Sequence, residues 1–263
     1  MNYSLVLGGL TVTFFLLLCA AIQIGRHLGR QRPNEEEGGR AGVAAIEASV
    51  FALLGLLVAF TFSGAAQRMT DRRNLLVQEV NAIGTAWLRI DMINAADQPA
   101  IRELFRRYAD ARISYYRHVA ELNQRDTIAA SVADIQKEIW AASMQAALRS
   151  APPFAASYAS AVNEMFDLSA SQTVAQKIHP PVVTYAFLCC LALVCGYFVG
   201  LNLAKTNRSG LIHQVLYALV MTAALYIIVD FEFPRIGTIR IDQSDALLMA
   251  QRDAMDDPAS GAR

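Results

Sequence analysis

The chain has 263 residues, 54% of them hydrophobic and 17% charged, with 23 acids balancing 23 bases. A soluble domain usually carries about 25% charged residues, so this composition excludes an ordinary soluble globular protein. Zero net charge supplies no long-range attraction to nucleic acid.

The charge deficit is concentrated in four apolar segments. About 20 apolar residues in helical form cross a hydrocarbon core, and each segment meets that length. The first runs from about Tyr3 to Ile24. No positive charge precedes it, and it is longer than the core of a cleaved signal peptide. Arg26, Arg30 and Arg32 follow it, as at the end of a retained span. A stretch from Gly25 to Gly42, with Pro33-Asn34, three glutamates and Gly38-Gly39, reads as a solvated turn. The second span is expected from about Val43 to Phe62. Ala48, Ala52, Gly55, Ala59 and Ser63 recur along it at helical spacing, a pattern that lets helices approach closely in lipid.

The next stretch carries no span. Met69, Leu76, Val80, Ile83, Trp87 and Ile90 fall on one helical face, so the second span is expected to continue directly into a soluble helix. A further helix is predicted from Pro99, a good first-turn residue, with Ile101, Leu104, Phe105, Tyr108, Tyr115, Val119 and Leu122 on its face. Another runs from about Thr127 to Leu148, with Ile128, Val132, Ile135, Ile139 and Ala142 inward. A last one starts at Pro152-Pro153 and carries Phe154, Tyr158, Val162 and Met165. His179-Pro180-Pro181 ends it. The third span reaches about Leu203, with Gly196 and Gly200 in GxxxG spacing. A short loop at Lys205-Thr206-Asn207-Arg208 leads to the fourth, from about Leu211 to Val229. The stretch from Gln251 onward is polar and reads as frayed.

The expected fold is therefore all-α and membrane-integral: four transmembrane helices in two hairpins, with a helical soluble domain inserted between spans 2 and 3. The boundaries are residues 1–63, 64–180, 181–230 and a C-terminal tail of 231–263.

No phosphate-cradling loop, HExxH, GxSxG or EF-hand loop is present. Cys19, Cys189, Cys190 and Cys195 lie in apolar segments and read as small buried hydrophobes. His27, His118, His179 and His213 are scattered without ligand spacing. Neither an enzyme nor a cofactor is expected. Lipid is the expected surrounding partner, and nucleic acid is not a partner.

Three polar features carry the candidate sites. Glu47 lies about one turn inside the second span. It fits either the headgroup level, favoured by the helix N-terminal dipole, or a charged ring at a pore mouth. Phe60-Thr61-Phe62-Ser63-Gly64, followed by Arg68, Asp71, Arg72 and Arg73, fits either an ordinary span end with interfacial arginines or a hydrophobic constriction with a cationic vestibule. Asp230-Phe231-Glu232-Phe233-Pro234-Arg235 sets two acids against the C-terminal dipole of the fourth helix. They call for cations such as Arg235, Arg68 or Arg72, giving an ion-pair belt, with ion binding as the alternative.

Leu53 to Arg68 with Asp71-Arg72-Arg73, Glu79 to Arg89, and Asp230 to Gly237 with Ile239-Arg240-Ile241-Asp242 together resemble the bestrophin-like family. That family is more distantly similar to true bestrophins, which are pentameric ion channels. Met69 and Thr70 stand where true bestrophins carry tryptophans. The resemblance implies a homo-oligomer, a pentamer by analogy, that passes inorganic ions. It places Phe60 and Phe62 at a neck, with Arg68 and Arg72 just past it. Lys and Arg divide six against six across the two sides, so the positive-inside rule does not orient the chain. The resemblance implies a multi-pass protein of the cell membrane with both termini and the middle domain cytoplasmic. The rival reading is a non-conducting membrane scaffold that binds partner proteins through its helical domain.

Overall fold

In the computed structural model, which describes residues 3–31, 37–118, 122–204, 209–233, 237–238 and 242–256, the described residues form eight α-helices, a single 3₁₀ turn and no strand. The helices are α1 (Tyr3–Gln31), α2 (Glu37–Arg89), α3 (Gln98–Arg117), α4 (Leu122–Leu148), α5 (Pro152–Ala175), α6 (Val182–Asn202), α7 (Ser209–Glu232) and α8 (Asp242–Ala254). Four of them, α1, α2, α6 and α7, are long and apolar enough to cross a membrane. At 53 residues, α2 is more than twice the length one crossing needs. The continuity expected from its unbroken apolar face holds through Arg89. The chain divides into two compact units, Met1–Met69 with His179–Ile239, and Thr70–Ile178 with Arg240–Arg263.

The first unit is built on glycine. Helix α1 packs most extensively against α6. A Cβ at Gly200 would fall on the Ile22 carbonyl and lie 2.8 Å from the Arg26 nitrogen. One at Gly25 would strike the Tyr197 carbonyl, and one at Gly29 would lie 2.6 Å from the Ala204 Cβ. Contacts climb both helices together, from Leu18 with Gly196 to Gly29 with Ala204, so α1 and α6 run parallel. The expected turn from Gly25 is thus helical as far as Gln31. Gly25 and Gly29 serve close packing in a second GxxxG pair, where the backbone needs no turn. Helices α2 and α7 also run parallel, linked by Phe51 with Tyr217 and by Phe62 with Phe231. Among the cysteines, Cys195 is buried, Cys19 and Cys189 are half-buried, and Cys190 is exposed, contrary to the buried reading.

The second unit is a helical bundle around one core. Leu76 and Ile83 of α2, Ile101 and Phe105 of α3, Ile139 of α4, and Tyr158 and Met165 of α5 are all fully buried. Phe154 is 55% exposed: it shares the face of Tyr158, but sits in the first turn of α5. Val119 lies outside the described residues. Helix α8 goes beyond the sequence expectation. It places Leu248 in this core with Met255 just beyond its end, and Arg252 pairs with Asp110 of α3 at 2.8 Å. The stretch from Gln251 is therefore helical to Ala254 and docked.

Inside this bundle lies a buried ion pair. Arg112 donates from Nε to Glu79 Oε1 at 2.6 Å and from Nη2 to Oε2 at 3.0 Å. Tyr116 donates to the same carboxylate and accepts from Arg112 Nη2 at 2.7 Å. Glu79 and Arg112 are 0% and 1% exposed. Burial works against the charged guanidinium, but Tyr116 and Glu79 more than reverse this and raise its pKa well above the ordinary arginine value. Tyr115 and Tyr116 present ring faces to the cation at 5.1 and 4.8 Å.

Candidate functional site

The candidate site occupies the ends of α2 and α7 within the first unit. Glu232 closes α7 at the negative end of the helix dipole, where an acid is disfavoured, and it is only 2% exposed. The Arg68 guanidinium offsets both costs. Arg68 donates to Oε1 from Nε at 2.7 Å and also from Nη2. His179 Nδ1 lies 3.5 Å from Oε2. Gly64, one turn before Arg68, makes room for this: a Cβ there would lie 3.2 Å from Arg68 Nη1. The imidazole of His179 stacks on Phe233 with ring centroids 4.9 Å apart.

The neighbouring acid, Asp230, is fully buried and serves the backbone. It accepts from the Thr238 amide at 2.9 Å and the Thr238 hydroxyl at 2.8 Å. Thr238 Oγ1 also lies 3.0 Å from the Tyr226 hydroxyl. Gly237 passes so close that a Cβ would collide with the Asp230 carboxylate. Asp230 thus fixes the chain as it leaves α7. Arg235 lies outside the described residues.

Phe60 and Phe62 point in different directions. Two residues apart, they stand about 200° apart around the helix. Phe62 packs on Phe231 at 5.5 Å, while Phe60 is 67% exposed. Between them runs the small-residue stripe. Ala48, Ala52, Gly55, Ala59 and Ser63 are all exposed, and nothing lies within 4 Å of a Cβ on Gly55. Elsewhere in the spans the exposed positions mix bulky residues, such as Leu16 and Leu17 of α1 or Leu216 and Leu219 of α7, with single small ones such as Ala20 and Ala223. At the other end of the α2 span, Glu47 is 8% exposed and accepts from Asn202 Nδ2 at 2.6 Å. It faces the interior of its own helix packing, turned about 120° from the stripe around the helix.

Arg72 belongs to the second unit. It is 4% exposed and donates to the carbonyls of Ala175 at 3.1 Å and Ile178 at 2.8 Å. It satisfies carbonyls left open at the end of α5. Among the described residues no group of His, Cys, Asp and Glu could hold a metal ion.

Sequence reasoning misses His179, Phe231, Phe233, Thr238 and Asn202 as members of these networks. Only His179 carries a local signal, its place beside the helix-ending prolines.

The Arg68–Glu232 pair makes an asymmetric prediction. Arg68→Ala removes both guanidinium hydrogen bonds from a carboxylate whose side chain is 1% exposed and is expected to cost about 2 kcal/mol. Glu232→Ala strands a guanidinium whose side chain is 30% exposed and is expected to cost about 1 kcal/mol after solvent screening. Thermal melts of the two variants in the same detergent check the order.

A family model described as a Bestrophin-like domain matches residues 12–246. No curated protein matches the chain significantly. Among solved structures, the chain is similar to the crystal structure of a membrane protein, with a TM-score of 0.63 and 11% sequence identity. The match covers 92% of this chain and 98% of that one, and at such low identity it speaks to the fold alone.

Proposed function

Because the chain belongs to the bestrophin-like family, we propose that it assembles into an oligomer in the cell membrane and conducts inorganic ions, with α2 lining the pore. The carrying observation is the exposed stripe of small residues on α2. Five small residues in line on one face, from Ala48 to Ser63, suit close approach to other helices or to a water-filled axis. Around that axis Phe60 and Phe62 flank the stripe. One Phe then supports the neighbouring protomer and the other anchors α2 to α7.

The parallel pairs α1 with α6 and α2 with α7 support two antiparallel hairpins, since alternating spans give these directions. On this reading the helical bundle is inserted between spans 2 and 3. It is placed in the cytoplasm with both termini, and the oligomer is a pentamer by likeness to true bestrophins. The Arg68–Glu232–His179 cluster holds the end of α2 against its own α7, so that the span keeps a fixed orientation toward the axis.

The test is single-channel recording of the purified protein in planar bilayers. Discrete currents are expected from the wild type. Ala59→Trp, which fills the stripe, is expected to reduce them at least tenfold, and Phe60→Ala to alter their amplitude. Silence from a correctly folded oligomer across several salts rejects the channel and favours a scaffold.

A further inference from the structure

We infer that the helical bundle of the second unit holds a binding site for a small carboxylate with a short apolar tail, in an open cavity lined by α3, α4 and α5. The cavity is about 250 Å³. It is reached between Ala133 of α4 and Ala170 of α5, both exposed. Its walls are largely apolar, with Val132 and the Tyr115 ring among them, and three hydrogen-bonding side chains meet there: Arg112, Gln136 and Ser169.

Donors dominate that set. Arg112 is 1% exposed and commits Nε and Nη2 to Glu79 and Tyr116. Its Nη1, with two N–H groups, has no hydrogen-bond partner among the described residues. Ser169 is 3% exposed. Its hydroxyl hydrogen-bonds the Tyr108 side chain and accepts from Gln136 Nε2 at the long distance of 3.5 Å. Gln136 Nε2 makes another such long contact with the Tyr108 hydroxyl, also at 3.5 Å. Contacts as long as 3.5 Å satisfy a donor weakly, and a carboxylate offers stronger acceptors to the N–H groups of Arg112 and Gln136, with the Ser169 hydroxyl beside them. Guanidinium and carboxylate are matched in geometry, and the apolar walls suit an alkyl chain. Water occupies about 30 Å³ per molecule in the liquid, so the cavity corresponds to about eight such volumes. A monocarboxylate of about eight heavy atoms fits.

Hexanoate is therefore the probe, and hexanamide its neutral counterpart of the same size. Isothermal titration calorimetry on the full-length protein in lipid nanodiscs is expected to show saturable hexanoate binding. Hexanamide is expected to bind at least about tenfold more weakly, the scale of a charge-assisted hydrogen bond. Ala170→Phe, at an exposed position, plugs the mouth and is expected to abolish binding. Ser169→Ala removes one hydroxyl and weakens it. Ala133→Phe repeats the plug from the opposite helix, so that a folding defect in one variant does not decide the result. Absence of saturable binding to the wild type overturns the inference. So does equal binding of hexanamide, or wild-type affinity in both plugged variants that retain native helicity.

Discussion

Glu79→Ala is expected to destabilise the helical bundle by about 3–5 kcal/mol, the cost of leaving one member of a buried ion pair alone. Arg112 cannot escape by losing its proton, because a guanidinium stays charged. With a side chain only 2% exposed, it regains little from water in place of the lost carboxylate. Tyr116 loses its acceptor in the same step. Replacing both members, Glu79→Met with Arg112→Met, removes the stranded charge along with its partner and is expected to recover most of the loss. Hydrogen exchange of α3 and α5 amides, with thermal melts, separates the cases. A double variant as unstable as Glu79→Ala would show that the pair does more than neutralise itself.

Gly200→Leu is expected to cost at least about 3 kcal/mol and to lower the yield of folded protein, because the side chain has nowhere to go. Overpacking a flexible neighbour costs about 1–3 kcal/mol, but the neighbour here is the backbone of α1 at Ile22 and Arg26. Helices in lipid associate through van der Waals packing of this kind and gain little from apolar burial, so separating them forfeits much of what holds them. The series is graded. Gly200→Ala and Gly25→Ala already meet carbonyl oxygens and are expected to be severe. Gly196→Ala meets only Leu18 Cδ2 at 3.3 Å and Ile22 Cγ1 at 3.5 Å, which can shift, so it is expected to be mild. Gly8→Ala, with nothing within 4 Å, is expected to be neutral. Size-exclusion profiles and melts of the four alanine variants check the order.

Much of this fold is legible in the sequence, because hydropathy and helical periodicity are local. The four spans, the passage of α2 out of its span, and the inward faces marked by Leu76, Ile83, Val132 and Met165 all follow from spacing alone. What escapes depends on partners far along the chain. Gly25 and Gly29 look like turn residues until Leu201 and Ala204 are placed against them. Helix α8 is short and polar, and its inward Leu248 gains meaning only with the core of the other helices present. The pairing of Glu232 with Arg68 is a choice among arginines that charge alone does not make. The separation of Phe60 from Phe62 needs no structure at all, since two steps along a helix turn a side chain to nearly the opposite side. The cavity, by contrast, arises where small residues on α4 and α5 meet over Arg112, an arrangement that no single segment of sequence displays.

The glycine seam between α1 and α6 also sets a timetable for synthesis. Gly25 and its facing segment around Gly200 are about 175 residues apart, which a ribosome working at roughly 5–20 residues per second takes about 10–35 s to produce. During that interval α1 is already made while the surface meant for it does not yet exist, and its small-residue groove stays open to lipid or to whatever membrane chaperone attends insertion. Assembly of the first unit is therefore a late event in the biogenesis of this protein, waiting on the third span to leave the ribosome.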